Sequence, residues 1–268
     1  MCFFDSTIVA VYFWAVLHDR PVDWACEPGN WPTKVHKMLR RLPSQSTMSR
    51  RLRTTEVRRL LAAMEGCLLH TQCRGWVWIV DGKPLPIGGF SKDPDAKWGW
   101  AVGGFAKGYK LHAIYGDGPL PVVWEVTPMN SAEPDVAARL IALGRCQGYV
   151  VGDKSYDNNP LHAAANDAGC QLVAERKRPG TGLGHCAQTP GRIRSMALLQ
   201  HEFGQALLAC RGDIERSFGW LTNHSGGLAP LPAWVRRIDR IMMWVQVKML
   251  AHWFYSQLKT LDPALAVA

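Results

Sequence analysis

The sequence predicts an α/β protein with a mixed sheet (α+β), preceded by a small all-α domain. Three observations lead to this prediction. The first 70 residues show helical patterns interrupted by prolines, residues 76–126 contain β-prone runs separated by turn signals, and residues 134–174 alternate helix and strand patterns. This order of elements, in which several strands come first and helices and strands then alternate, favours a mixed sheet over a barrel or a helical bundle.

The N-terminal region carries three helix signals, each bounded by capping residues or prolines. The predicted helices are residues 6–17, 33–42 and 56–69. We expect residues 1–70 to form one helical domain and residues 71–268 a second, larger domain.

A short helix after Pro43 has the pattern of a DNA-recognition helix. Ser44 is a good N-cap residue, and the segment after it carries small polar residues first and arginines last. Amides and hydroxyls can read base edges, while guanidinium groups can bind bases or phosphates. The candidate DNA contacts are Gln45, Ser46, Ser49, Arg50 and Arg53. With the helix before Pro43 this predicts a helix-turn-helix; the alternative is a solvated basic helix in an N-terminal cap.

Two apolar strands that each end in an aspartate organise the larger domain. Residues 76–80 are continuously apolar and precede Asp81, and residues 149–151 form a similar run before Gly152 and Asp153. Aspartates at the carboxyl ends of strands lie where α/β folds bind ligands, although an isolated one more often forms a turn.

The other elements of this domain follow from local periodicity. Three strands after Asp81 predict an antiparallel meander, and a basic segment, residues 175–194, has no predictable structure. The further predicted strands are residues 98–104, 108–115, 121–126 and 171–174. The predicted helices are residues 134–143, 161–168, 211–221 and 234–258.

The composition is that of a basic globular protein. Lysine and arginine total 31 against 22 aspartates and glutamates, so the net charge is +9, and the cations cluster in residues 34–59 and 176–194. A polyanion such as nucleic acid is therefore a plausible partner. The apolar runs are too short to span a bilayer, and no signal peptide is evident.

The eight cysteines are scattered and contain no paired CxxC units. They predict reduced thiols in a cytoplasmic protein rather than a disulfide framework or a zinc ribbon. Cys67, His70 and Cys73 fall at three-residue intervals, but without a fourth ligand a core helix is favoured over zinc.

Three acidic residues stand out as a candidate metal site. Asp81 and Asp153 each follow a strand, and Glu215 lies on a later helix that packs through its apolar face. If the strands are neighbours, the three carboxylates converge with little histidine or cysteine nearby. Such oxygen ligands suit Mg²⁺, and two ions about 3.5–4 Å apart can support phosphodiester chemistry.

With these residues the sequence resembles the DDE transposases of bacterial insertion sequences, whose catalytic domain has the ribonuclease H-like fold. The resemblance rests on four segments: residues 80–82 (Val-Asp-Gly), 108–112 (Gly-Tyr-Lys-Leu-His), 152–157 (Gly-Asp-Lys-Ser-Tyr-Asp) and 211–219 (Arg-Gly-Asp-Ile-Glu-Arg-Ser-Phe-Gly). It implies that Asp81, Asp153 and Glu215 are the catalytic, metal-binding triad. It also implies Mg²⁺ or Mn²⁺ as cofactor, in two ions.

The sequence departs from the family pattern at several positions. The last motif often reads Tyr, two residues, Arg, three residues, Glu, six residues, and Lys or Arg. Arg211 and Glu215 match it, whereas Leu208 and Thr222 replace the Tyr and the basic residue. Ser155 stands where Gly is usual, and Ala174-Glu175 follow the last strand where Pro is common.

The resemblance implies that metal-activated water cuts DNA at the ends of the element and that the freed 3′ hydroxyl attacks target DNA. The partners would be double-stranded DNA with terminal inverted repeats and target DNA, with the protein as a homodimer, in a bacterial cytoplasm and associated with the nucleoid. Candidate phosphate contacts are Lys110, Lys154, Arg211 and Arg216. Asp157 is expected to turn the chain, and Asp213 to face solvent or a basic neighbour.

Two other functions fit the same sequence. A metal-dependent nuclease would cut DNA with this site without joining it. A DNA-binding regulator would use the helix-turn-helix while the larger domain is inactive.

Overall fold

The structure is a computed structural model that describes residues 3–39, 41–70, 75–212, 218–219, 221, 228 and 231–261. The chain forms two compact units. The helical unit comprises Met1–Thr71 together with Trp220–Ala268, and the sheet unit comprises Gln72–Gly219. The chain thus returns to the helical unit at its C-terminal end, whereas the sequence suggested two consecutive domains; that domain division stays a prediction.

In the part of the helical unit that the structure describes before Thr71, there are five helices. They are α1 (Asp5–Leu17), α2 (Val22–Ala25), α3 (Thr33–Leu39), α4 (Gln45–Arg51) and α5 (Thr55–His70), with a 3₁₀ turn at Pro28–Asn30. The start of α4 is set as the sequence predicts, because the Ser44 side chain accepts a hydrogen bond from the Thr47 backbone amide at 3.3 Å.

The sheet unit is built on a mixed sheet of six strands among the described residues. The strands are β1 (Val77–Pro86), β2 (Lys97–Ala101), β3 (Gly104–Tyr115), β4 (Pro121–Pro128), β5 (Gly148–Gly152) and β6 (Cys170–Ala174). β1 pairs antiparallel with β3, and β2 and β4 share the other edge of β3. On its second edge β1 pairs parallel with β5, which pairs parallel with β6. The mixed α/β fold is confirmed, with a sheet compatible with a ribonuclease H-like domain.

The predicted end of β1 at Asp81 is wrong. The strand continues to Pro86 and stays paired with β3 as far as Pro86↔Gly108, whereas its pairing with β5 ends at Ile79↔Val151. The sequence misleads here because two prolines follow Asp81. They are tolerated because only one edge of this half of β1 is hydrogen-bonded.

Helices cover both faces of the parallel part of the sheet. They are α6 (Glu133–Gly144), α7 (Asn159–Asp167), α8 (Pro190–Leu198) and α9 (Glu202–Ala209). Val150 contributes to the core under α6 and α7, while Val151 packs on the other side with Leu207 of α9. Successive residues of β5 point to opposite faces, so an uninterrupted apolar run is what a strand covered on both sides requires.

The last helix, α10 (Ile238–Leu261), packs on α1 and α5 in the helical unit. Its buried side includes Trp244 and Leu250, and the Lys248 ammonium lies 2.8 Å from the carboxylate of Asp19. Within the described ranges, no helix combines the length and apolar character needed to cross a bilayer.

Replacing Gly148 with alanine should loosen the pairing of β5 with β1. Gly148 has a φ of +83°, and a Cβ there would lie 2.4 Å from the carbonyl oxygen of Trp76. Left-handed strain and overpacking against backbone should together lower the free energy of unfolding by about 2–4 kcal/mol. Urea denaturation measures this loss. Gly88→Ala is the control, because nothing lies within 4 Å of a Cβ at Gly88; equal effects of the two substitutions would contradict the prediction.

Candidate active site

Asp81 and Asp153 are brought level with each other by the register of β1 and β5. The parallel pairs are Val77↔Tyr149 and Ile79↔Val151, and each aspartate lies two residues beyond the last pair on its strand. Beyond Ile79↔Val151 the two strands are no longer paired, so Asp81 and Asp153 lie where β1 and β5 separate. The convergence of these two acids is therefore a product of strand register.

Local hydrogen bonds orient both carboxylates. Oδ1 of Asp81 accepts a bond from the Gly82 amide at 2.7 Å. Asp153 caps a 3₁₀ turn, Lys154–Tyr156, and its Oδ1 accepts bonds from the Ser155 amide at 2.7 Å and from the Ser155 hydroxyl. Oδ2 of either aspartate receives no hydrogen bond from a described residue, which leaves these atoms for a ligand.

The electrostatic environment of Asp81 disfavours its charge. The pKa of Asp81 is raised to about 6. Burial is the largest cause and the negative charges of Asp153 and Glu133 add to it, while the hydrogen bond from the Gly82 amide and the charge of Arg211 act in the opposite direction. Like charges held close in a partly dry site are unfavourable unless a cation joins them. The site is therefore prepared for positive charge.

Glu133 is a site residue that the sequence did not reveal. It lies in the first turn of α6, where one of its oxygens pairs with the ammonium of Lys110 and the other accepts a bond from the Ser155 hydroxyl at 3.2 Å. A glutamate at a helix start is a common helix signal and says nothing about a site. Lys110 is buried in β3, and a buried ammonium requires a counter-charge. That requirement is the signal that could have pointed to an acid such as Glu133.

Glu215, the third member of the predicted triad, lies outside the described residues, as do Arg216, Asp213 and Thr222. The described residues on either side are informative. Arg211 lies close enough to Asp81 for its charge to lower the pKa of that carboxyl. Phe218 is buried and packs edge-on against Tyr115 of β3, with ring centroids 5.6 Å apart.

The donor atoms fit a hard divalent cation. Asp81 and Asp153 offer carboxylate oxygens without a histidine or thiol partner, which suits Mg²⁺ or Mn²⁺. Among the described residues no group of three or more His, Cys, Asp or Glu side chains is arranged to hold a metal ion. Of the Cys67, His70 and Cys73 set, Cys73 lies outside the described residues, and Cys67 is a free thiol.

Comparison with known families decides what the two aspartates belong to. Residues 73–230, more than half of the chain, match the family described as "Transposase DDE domain". The chain belongs to this transposase family. Its chemistry is therefore of the transposase type, with nuclease and transesterification activity. No curated protein and no solved structure matches the chain.

A groove of about 420 Å³ in this DDE domain begins at Lys154, the residue after Asp153, and is lined by three cations and one acid, Glu175. Its cations are Lys154, Arg176 and Lys177, none of which forms an ion pair with a described residue, and the Nε of Arg176 is buried without a hydrogen-bond partner. Apolar side chains complete the wall, among them Leu208, which stands where the family often has Tyr. The groove thus offers cations beside an apolar surface, starting at the residue after Asp153.

The other predicted phosphate contacts of the DDE domain differ in their setting. Lys154 is exposed at the groove, whereas the Lys110 side chain is only 7% exposed and is paired with Glu133. A contact from Lys110 to DNA would require that pair to open, and it stays a prediction.

Asp157 is a structural residue of this domain rather than part of the carboxylate pair. Its carboxylate accepts bonds from the Arg192 guanidinium at 2.7 and 2.6 Å and from the Lys177 amide at 3.1 Å. Burial alone would raise the pKa of Asp157, but these bonds outweigh burial and keep the pKa below its usual value. Asp157 therefore ties the basic segment and α8 together.

Helix α4 of the helical unit divides the predicted DNA contacts between two settings. Ser46 and Arg50 are exposed and lie one turn apart. Gln45, Ser49 and Arg53 line a cavity of about 270 Å³ together with residues such as Trp234 and Arg240, and Gln45 and Arg53 are also exposed. The Arg53 guanidinium also bonds the Ser49 hydroxyl at 3.1 Å. Arg50 is thus the arginine of α4 that is presented without a partner among the described residues.

Replacing Asp81 with asparagine should stabilise the metal-free protein at neutral pH. Because its folded pKa is raised, the ionised Asp81 weakens folding; this cost is absent below about pH 4, grows as the pH rises, and is complete above about pH 6. Asp81→Asn should therefore raise the free energy of unfolding by about 1–3 kcal/mol at pH 7.5 and by little at pH 4. Urea denaturation in EDTA across this range measures it.

Asp157→Asn is the matched control for this measurement. The pKa of Asp157 is lowered rather than raised, so this substitution should destabilise the protein at neutral pH. If Asp81→Asn also destabilises the protein at pH 7.5, then the claim that the charge of Asp81 weakens folding is wrong.

Proposed function

We propose that the protein is the DDE transposase of an insertion element, which cuts DNA at the element's ends and joins the freed 3′ ends to target DNA. One observation carries the proposal: Asp81 and Asp153 stand level where β1 leaves β5, inside a transposase DDE domain. The basic groove that begins beside Asp153 supports DNA as the substrate.

The residues that would hold divalent metal are Asp81, Asp153 and Glu215. Mg²⁺ or Mn²⁺ bound there would supply activation of the attacking oxygen and stabilisation of the leaving one, with two ions as the expected number. The free Oδ2 atoms of the two aspartates support this assignment. For Glu215 the support is indirect, because Arg211 and Phe218 on either side of it lie near Asp81 and Tyr115.

The remaining tasks fall to positioning and charge. Asp81 and Asp153 are held by strand backbone and by hydrogen bonds to Gly82 and Ser155, so their orientation is set before substrate binds. Arg211 and the groove cations Lys154 and Arg176 would hold phosphates of the strand. We propose no covalent enzyme intermediate, since the attacking groups are water and a DNA 3′ hydroxyl.

We further propose double-stranded DNA with terminal inverted repeats as the donor substrate and a homodimer as the working assembly. Strand-transfer assays on DNA with matched terminal repeats test the function. Joined products support the transposase, cleavage without joining indicates a nuclease, and metal-independent binding without either indicates a regulator.

Substitution of each triad acid should abolish catalysis and spare DNA binding. Asp81→Asn, Asp153→Asn and Glu215→Gln should each lower cleavage by at least about 10³-fold, because each removes a charged metal ligand while keeping the side-chain shape. Glu202→Gln is the control, an exposed acid at the start of α9. Cleavage by any of the three triad variants at the wild-type rate would remove that residue from the triad.

Arg50 should contribute a phosphate or base contact in the helical unit. Arg50→Ala should weaken binding of the terminal repeat and reduce the slope of log K against log salt by about one. Arg139→Ala is the matched control, because it removes the same charge from an arginine paired with Glu125 in the sheet unit. Salt titrations of binding by fluorescence anisotropy compare them. An unchanged slope for Arg50→Ala would mean that α4 is a cap and not a DNA-binding helix.

A further inference from the structure

We propose that Glu133 is a positioning residue of the active site, which acts with Lys110 through the Ser155 hydroxyl to hold the Asp153 carboxylate. The inference rests on the proposed function, since it assigns Asp153 a metal-binding task. Glu133 lies outside the four segments that resemble the family.

Glu133 and Lys110 form an ion pair. The Lys110 side chain is 7% exposed and that of Glu133 is 24% exposed, so both charges lie largely out of water. A buried ammonium without a counter-charge is strongly unfavourable, so each member of the pair fixes the other. Glu133 is thereby held against β3 although it belongs to α6.

Ser155 links Glu133 to Asp153. The Ser155 hydroxyl lies within hydrogen-bond distance of both Oε2 of Glu133 and Oδ1 of Asp153. A hydroxyl carries one proton, and the Ser155 amide already donates to Asp153. The two carboxylates therefore share the single proton of this hydroxyl, and Glu133 and Asp153 together fix the orientation of the Ser155 side chain.

Both oxygens of Glu133 are engaged, which separates its role from that of a metal ligand. One oxygen pairs with Lys110 and the other accepts from Ser155. Asp81 and Asp153, in contrast, each keep an Oδ2 without a hydrogen bond from a described residue. Groups that hold metal ligands in place commonly affect metal affinity or activity 10–100-fold, as expected for Glu133.

The same pair packs against the backbone beside Asp81. A Cβ at Gly82 would lie 3.2 Å from Cδ of Lys110 and 3.5 Å from Cδ of Glu133. The Lys110–Glu133 pair thus packs against Gly82, the residue after Asp81, and Glu133 also contacts the Ser155 hydroxyl. It joins the two aspartate positions through side chains, in addition to the strand register.

The test compares Glu133→Gln, Ser155→Ala and the double variant. Glu133→Gln leaves Lys110 without its counter-charge and offers a single carbonyl oxygen, which cannot serve Lys110 and Ser155 together. Ser155→Ala removes only the hydroxyl that links Glu133 to Asp153. We expect each single variant to lower kcat for donor-end cleavage and the affinity for Mn²⁺ about 10–100-fold, with KM for DNA unchanged. The double variant should lose no more than the worse single variant, because the two residues act as one unit.

Asp135→Asn is the matched control, since Asp135 is an exposed acid in the same first turn of α6. Isothermal calorimetry with Mn²⁺ and no DNA gives affinity and stoichiometry independently of activity. If the wild type binds Mn²⁺ but cuts no DNA, the proposed function fails while the role of Glu133 is still tested.

A second variant protects the test against misfolding. Glu133→Gln combined with Lys110→Met removes the buried charge altogether while keeping the Ser155 acceptor, so Mn²⁺ affinity should recover to within about threefold of wild type. Wild-type kcat and Mn²⁺ affinity in Glu133→Gln would overturn the proposal. Two other results for Glu133→Gln would also overturn it. Loss of one bound Mn²⁺ per chain would make Glu133 a metal ligand, and a raised KM at constant kcat would make it a DNA contact.

Discussion

The site depends on the parallel pairing of β1 with β5 and on the point where that pairing ends. The pairing sets Asp81 and Asp153 level, and the departure of β1 opens the sheet edge beside them. Asp81 lies within β1 and Asp153 caps the 3₁₀ turn that follows β5, and both carboxylates accept hydrogen bonds from neighbouring backbone amides. Gly148 permits the close approach of β5 to β1 that this arrangement needs.

The open edge gathers more negative charge than its surroundings neutralise. Burial and neighbouring carboxylates raise the pKa of Asp81, while Glu133 is balanced by Lys110 and Asp157 by Arg192. The structural acids have cationic partners, whereas Asp81 forms no ion pair with a described residue and is eased only by the Gly82 amide and the charge of Arg211. This contrast separates functional from structural carboxylates, and it is the usual exchange of stability for activity at catalytic sites.

Much of the fold could be predicted from local patterns, and the failures have identifiable causes. The Ser44 cap, the apolar run of β5 and the order of helices and strands are local properties, and the structure has them. The continuation of β1 beyond Asp81 could not be predicted, because Pro84 and Pro86 are loop signals unless one strand edge is unpaired. The return of the chain to the helical unit likewise depends on packing that no local pattern encodes.

For the site itself, local sequence was enough to single out two aspartates as candidates. Asp81 and Asp153 follow apolar runs, and that signal is contained in a few neighbouring residues. Only the tertiary structure decided that these two stand level, that Lys110 is buried in an ion pair, and that Glu133 reaches Ser155. Each of these facts joins residues more than twenty positions apart, and register and burial arise only when the chain is folded.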